Sequence, residues 1–289
     1  MWTALLAGLI FSVPGVYDGR GAEVDYIRIT GSDITVQGYR VTGYGPGVNC
    51  IHVEGDRNTV RQNTVERCGA TSIYVFSGAG HLVQDNVIRD PARRVGWDSW
   101  GIYQHAATGL TVRGNEIYGS GFSTGPLAGT YVVSGNRFLI PEDYRTSCDG
   151  KLRRDGPCQC GEFGIVLKGG GGGVVERNVI RGFRRADPIC GGSGTPGAGI
   201  DLAAGGNLTY DVVIRQNVIT DSTVGIYTGN PVRNIRIEAN RLCRNGTAVS
   251  AGYGSVELLD NELFGNALNL YGTRTGAVSG NRQLVECPP

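Results

Sequence analysis

The amino-acid sequence predicts an all-β protein, a single parallel β-helix of about ten coils with a ladder of stacked Asn side chains. Three observations carry that prediction. Gly fills 48 of the 289 positions, about twice its usual share, while good helix formers are scarce, with one Met and two Lys. Val and Ile alternate with polar residues at period two, as half-buried strands require. An Asn also recurs at a fixed place in a strand–turn–strand unit along most of the chain.

The elements follow in order. Residues 1–30 are expected to form an N-terminal coil or cap. The segment Gly8-Leu-Ile-Phe-Ser-Val-Pro-Gly-Val-Tyr17 alternates and then turns at Pro-Gly, as an opening strand would. A secretory leader over Ala4–Val13 is the competing reading, but it lacks a preceding basic residue and a small-x-small cleavage site. Ile34-Thr-Val-Gln-Gly-Tyr39-Arg-Val is a degenerate first copy with Tyr39 in the Asn place. Full copies then centre on Asn63, Asn86, Asn115, Asn136, Asn178, Asn217, Asn240, Asn261 and Asn281. Their steps are 23, 29, 21, 42, 39, 23, 21 and 20 residues, so 20–23 residues make one turn of a solenoid. The longer steps place insertions at about 90–100, 139–161 and 183–198 within a single domain spanning 1–289. Leucine-rich repeats share the period but need Leu where this chain has Val and Ile. Each Asn is expected in a tight turn, in the left-handed region that Asn tolerates.

Charge and cysteines narrow the setting. A net charge of +1 excludes affinity resting on broad electrostatic attraction to nucleic acid or anionic lipid. No apolar run reaches the roughly 20 residues of a membrane helix. Eight Cys without a C-x-x-C pair fit four disulfides in an oxidising compartment, so a secreted, extracellular or periplasmic protein is expected. Cys50 and Cys68 bracket one coil, and Cys243 and Cys287 could staple the other end. Cys148, Cys158, Cys160 and Cys190 fall in the insertions. The sequons Asn207-Leu-Thr and Asn245-Gly-Thr suit an exported glycoprotein. The five-glycine run Gly169–Gly173 lacks the Gly-Lys-Ser/Thr of a phosphate loop and reads as a flexible turn.

Over roughly residues 30–285 the repeat units resemble the right-handed parallel β-helix, pectate-lyase-like superfamily. That resemblance implies a right-handed solenoid. It leaves activity open, because such folds carry lyases, hydrolases, epimerases and non-catalytic proteins. Trp100-Gly-Ile-Tyr-Gln-His105 is also similar to the Tyr-Gly-Phe-Asp-Pro-His segment of mannuronan C5-epimerases. The Gly and His match, whereas Tyr103 and Gln104 stand where that family has Asp and Pro.

If the Asn stack, the strands 12–14 residues before them stack too, and polar groups from distant segments become neighbours. One outward column is then His52, Tyr74, Tyr103, Ser123, Val166, Asp201, Tyr227, Ser250, Asn269. The other is Glu54, Phe76, His105, Gly125, Lys168, Ala203, Gly229, Gly252, Tyr271. At about 4.8 Å per strand, His105 and Lys168 lie roughly 10 Å apart across a hollow at Gly125. Tyr103, His105 and Lys168 are therefore the candidate catalytic residues. Tyr74, Phe76, Asp201 and Tyr227 are candidate substrate contacts, joined by Arg94, Trp97, Asp98 and Arg185 from insertions that would wall the groove. On an acidic polysaccharide this set suits β-elimination: Lys168 or His105 as base, Tyr103 as acid, and an Arg among Arg93, Arg94, Arg153, Arg154, Arg184 and Arg185 as carboxylate clamp. The expected function is thus C5 proton abstraction on a uronate polysaccharide by a monomeric enzyme, a lyase ahead of an epimerase. A non-catalytic glycan-binding protein is the alternative and a glycoside hydrolase the third reading. No motif requires a cofactor. Calcium is a candidate through loop acids such as Asp98, although no ligand cluster is visible in the sequence.

Overall fold

The computed structural model describes residues 8–43, 49–89, 100–140, 163–184, 197–202, 207–229, 231–252, 254–272, 276–284 and 286–287. Among these residues it holds strands only, β1 to β33 in chain order, laid into three parallel sheets of eleven strands each. Every third strand returns to the same sheet, so three strands make a coil. The described residues make eleven coils, against the expected figure of about ten. The first sheet carries the face of interest. It runs β1 (Leu9–Phe11), β4 (Ile27–Ile29), β7 (Ile51–Val53), β10 (Ile73–Val75), β13 (Ile102–Gln104), β16 (Phe122–Thr124), β19 (Phe163–Leu167), β22 (Ala198–Leu202), β25 (Val224–Thr228), β28 (Thr247–Ala251) and β31 (Leu268–Tyr271). The core is the stack of inward β-branched and aromatic residues, among them Ile27, Ile51, Ile73, Ile102, Phe122, Ile165, Ile200 and Ile226, all fully buried.

The Asn ladder runs unbroken between the second and third sheets. The backbone N–H of each Asn donates to the side-chain oxygen of the next: Asn86 to Asn115 at 2.9 Å, Asn115 to Asn136 at 2.9 Å, Asn136 to Asn178 at 2.9 Å, and so on to Asn281. Each side-chain amide adds a bond to a core carbonyl, as Asn115 does to Val83 O at 3.0 Å. Buried turns would otherwise leave these backbone groups orphaned. Tyr39 does stand in the Asn place, donating its N–H to Asn63 Oδ1 at 3.0 Å. The left-handed conformation, however, belongs to the residue before each Asn: Gln62 (φ 55°), Asp85 (φ 53°), Arg177 (φ 54°), Ala239 (φ 52°), or Gly114 and Gly135. That preceding residue reverses the chain, which frees the Asn side chain to point inward and stack.

Two shorter ladders pin the other corners. Asn245 and Asn266 stack in the turn leading to the first sheet, with Ser222 donating to Asn245 Oδ1 at 3.0 Å. In the remaining corner His81 takes the Asn role, accepting the Asn58 N–H at Nδ1 (3.3 Å) while its Nε2 meets Ser77 O at 2.9 Å. This placement removes Asn245 as a glycosylation acceptor in the folded protein: it is buried, and its amide donates to Ile219 O at 3.0 Å. Asn207 is exposed.

Three further points differ from or refine the sequence reading. The glycine run is not a flexible turn; from Gly170 onward it is part of β20 (Gly170–Glu176). A Cβ on Gly171 would strike the Tyr210 ring, and one on Gly173 the buried Tyr131 ring, so the glycines make room for aromatic side chains. In the last coil Ser250 pairs with Tyr271 and Val249 with Leu270, a slip of two from the expected column. The Asn245–Asn266 ladder holds β31 in step, so the shortening of that coil falls after β31 rather than before it. The disulfides Cys50–Cys68 and Cys243–Cys287 are both present, the first closing one coil and the second pinning the C-terminal tail. The other four Cys lie outside the described residues, as do most of the three insertions.

Candidate functional site

The first sheet stacks its outward side chains as the columns predict from His52 to Ser250. Tyr74 pairs with Tyr103, Tyr103 with Ser123, Ser123 with Val166, Val166 with Asp201, and Asp201 with Tyr227. Gly125, just past β16, is flanked by His105 one strand away on one side and Lys168 one strand away on the other. Its N–H donates to Gln104 O at 2.6 Å. Lys168 is held by its own N–H, which donates to Thr124 Oγ1 at 2.9 Å. A Cβ on Gly125 would lie 2.8 Å from the Tyr103 hydroxyl. The Tyr103 side chain therefore reaches across to β16 and sets its hydroxyl beside the glycine. Register thus places Tyr103 and His105, from coil 5, and Lys168, from coil 7, around Gly125, while the His105 ring stacks on Phe76 and Lys168 Nζ lies by Trp100.

Aromatic rings fix the N-terminal side of this hollow. Tyr74 and Tyr103 stack with centroids 5.5 Å apart and planes 3° from parallel; Phe76 and His105 stack at 5.2 Å and 5°. Parallel strands at their natural spacing set this packing. It orients the imidazole of His105 and turns the rings partly toward one another. Farther along, His52 Nε2 and Arg28 Nη2 both contact Glu54 Oε1, at 2.9 and 3.0 Å. Burial lowers the His52 pKa against the pull of Glu54, and burial raises that of the Tyr74 phenol.

On the C-terminal side lies Asp201, 4% exposed on an outward position expected to face a groove. Its Oδ1 has no hydrogen-bond partner among the described residues. Burial pushes its carboxyl from the ordinary 3.8 up to about 7, although the nearby Lys168 charge pulls it down. Lys168 Nζ sits 5.2 Å from the centroid of the Trp100 ring, a cation–π contact between the residue just after β19 and one just ahead of β13. Trp100 is itself buried, with no partner for Nε1 among the described residues. Beyond Asp201, Tyr227 lies with its ring against Gly229.

Of the residues singled out from sequence, Tyr103, His105, Lys168 and Asp201 gather around this hollow, with Tyr74, Phe76 and Tyr227 bordering it. Arg94, Trp97, Asp98 and Arg185 lie outside the described residues, as do Arg93, Arg153 and Arg154. Arg184 donates through Nε to the Asp221 carbonyl at 3.1 Å and is engaged there. Among the described residues no cluster of three His, Cys, Asp or Glu side chains could hold a metal ion. Sequence reasoning missed Trp100 as a partner of Lys168, because a residue ahead of a strand has no fixed place in the column count. It also missed Gln104, which is inward and fully buried and donates to Ala107 O at 2.7 Å.

A family model described as the right handed beta helix region matches residues 25–283. The chain belongs to that family. No curated protein matches it significantly in sequence. Among solved structures, this β-helix is similar to the A-module of the Azotobacter vinelandii mannuronan C-5 epimerase AlgE4, with 15% identity, a TM-score of 0.60 and coverage of 93% of this chain and 73% of that one. It is also similar to a hyperthermoactive exopolygalacturonase from Thermotoga maritima, with 8% identity, a TM-score of 0.57 and coverage of 96% and 78%. The AlgE6 A-module from Azotobacter vinelandii matches with 14% identity, a TM-score of 0.55 and coverage of 98% and 84%. At such identities these β-helix likenesses establish the fold alone.

Proposed function

We propose that this β-helix protein acts on a uronate-containing polysaccharide by abstracting the C5 proton, with elimination as the main outcome. The observation that carries the reading is the sheet register, which sets His105 and Lys168 one strand to either side of Gly125, with the Tyr103 hydroxyl beside that glycine. His105 takes the proton from C5. Lys168, lying against the Trp100 face, binds the uronate carboxylate and stabilises the charge that builds there. The C5 electron pair forms the C4–C5 double bond and the C4–oxygen bond breaks. Tyr103 gives its proton to the departing oxygen, and the phenolate is restored from the imidazolium of His105. Returning a proton to the opposite face of C5 would instead give the epimer.

The carboxylates argue against hydrolysis. Among the described residues, the outward carboxylates of these columns are Glu54 and Asp201. They are five strand steps apart, about 24 Å, far beyond the roughly 6.5–9.5 Å that paired acids use in inverting glycosidases. The two disulfides suit a secreted or periplasmic setting. No helix among the described residues is long and apolar enough to cross a membrane. The enzyme is taken to work as a monomer.

The test is production of unsaturated ends, followed by ultraviolet absorbance, on alginate, pectate and glycosaminoglycans. His105→Ala and Lys168→Ala are each expected to lower kcat by about 100-fold or more, and Tyr103→Phe by a similar factor. Absence of turnover by the wild-type protein on every uronate polymer would favour the glycan-binding alternative.

A further inference from the structure

The second sheet widens beside Lys168. In coil 6 its strand is β17 (Tyr131–Ser134), and Tyr131 pairs with Gly173 of β20. Gly170 to Gly172 therefore extend past β17, and they begin two residues after Lys168. The next coils continue this ledge: Gly171 pairs with Tyr210 of β23 (Thr209–Arg215), and Tyr210 with Arg233 of β26 (Val232–Glu238). Thr209 and Val232, which alternate with them, are buried, so Tyr210 and Arg233 point outward. The Tyr210 ring leans over Gly171, where a Cβ would strike it, and the Arg233 guanidinium sits 5.2 Å from the ring centroid. Arg233 is exposed, and among the described residues its guanidinium makes no hydrogen bond or ion pair. The neighbouring acid, Asp211, is taken by Asn234, whose Nδ2 donates to Asp211 Oδ1 at 2.8 Å.

We propose that Arg233, stacked on Tyr210, binds the carboxylate of a second uronate unit, beyond the one held at Lys168. An aromatic face limits the motion of a guanidinium without using its N–H donors, so the planar fork stays open for a carboxylate. Were Arg233 there only to balance charge, Asp211 would be its partner; Asn234 occupies that acid instead. Arg233 stands two strands, roughly 10 Å, along the axis from the coil of Lys168, which sets it beside a different sugar unit. The glycine run has a purpose in this arrangement. A side chain on Gly171 would lift the Tyr210 ring and the arginine with it. The ledge rests on the reading of this protein as acting on an acidic polysaccharide, but it holds whichever reaction follows. It deepens that reading by naming a requirement for two free carboxylates in one stretch of chain. Polymers with esterified or neutral neighbouring units should bind more weakly.

The experiment uses Arg233→Gln, which removes the charge, with Tyr210→Leu, which removes the stacking face, as a second variant and thermal melting to verify folding. Calorimetric binding and kinetics would be measured with tetrasaccharides of galacturonate, mannuronate and guluronate, and with the methyl ester of each. For whichever acid tetrasaccharide the wild type binds, Arg233→Gln should lower affinity about tenfold, in KM more than in kcat. The methyl ester should bind wild type and Arg233→Gln equally. Unchanged affinity in both folded variants, with His105→Ala still abolishing turnover, would overturn the ledge and leave the proposed reaction standing. An equal loss for acid and ester would overturn it too, because the carboxylate would then play no part. Binding without turnover, weakened by Arg233→Gln for the acid alone, would support the ledge and reject the reaction. Failure of the wild type to bind any of the three acids would reject the ledge.

Discussion

A carboxyl buried near a lysine titrates far from its ordinary range, and Asp201 is such a group, with its pKa raised from 3.8 to about 7 by burial. Because the folded protein holds this proton more tightly than the unfolded chain does, its contribution to stability is complete below about pH 4. It is lost as pH rises through about 7. The whole effect is of the order of 4 kcal/mol. Asp201→Asn should therefore flatten the decline in stability between these pH values and be more stable than wild type at pH 8. Denaturant melts at several pH values test this, and parallel pH profiles for the two proteins would refute the buried acid. Tyr103 and His105 stack on Tyr74 and Phe76 from the adjacent coil and Lys168 lies against Trp100 two coils away, so each is sensitive to changes that leave its own identity intact.

Among the repeated elements, the Asn turn carries most of the specification. Asn115 accepts two bonds from Asn86 and donates to Val83 O, Arg113 O and Asn136 Oδ1. Asn115→Leu should destabilise the protein by about 3–5 kcal/mol, because several buried backbone groups lose their partner at once. The same change at Asn281, at the ladder's partly exposed end, should be much milder. Urea denaturation of the two variants gives the comparison. This turn was legible in the sequence because its Asn recurs every 20–23 residues, and the strand columns followed from it. The left-handed residue was not legible, since Gln62, Asp85, Arg177 and Ala239 share no side-chain chemistry that marks the conformation. The Gly171 and Gly173 positions were equally opaque. Their purpose is set by Tyr210 and Tyr131, which come from other coils. The slip at β31 was hidden because counting back from Asn281 assumes a constant distance, while the Asn245–Asn266 ladder fixes the strand from its other end.

The solenoid as a whole makes a working surface from residues remote in sequence. Its three sheets are rigidly stepped, so one outward face runs unbroken from Arg28 to Ser250, with its densest chemistry at the coils of Tyr103, Lys168 and Asp201. The composition of the candidate site was readable once the register was known; its burial was not, because the Trp100–Lys168 contact depends on side-chain direction rather than period. Incubation of uronate polymers in deuterated water, with C5 hydrogen followed by NMR, tests most directly the proposal that this face removes the C5 hydrogen of a uronate. Proton abstraction there should appear as loss of the C5 hydrogen into unsaturated product, or its replacement by deuterium, with wild-type protein and neither change with His105→Ala. Depolymerisation that yields saturated ends and leaves every C5 hydrogen in place would contradict it.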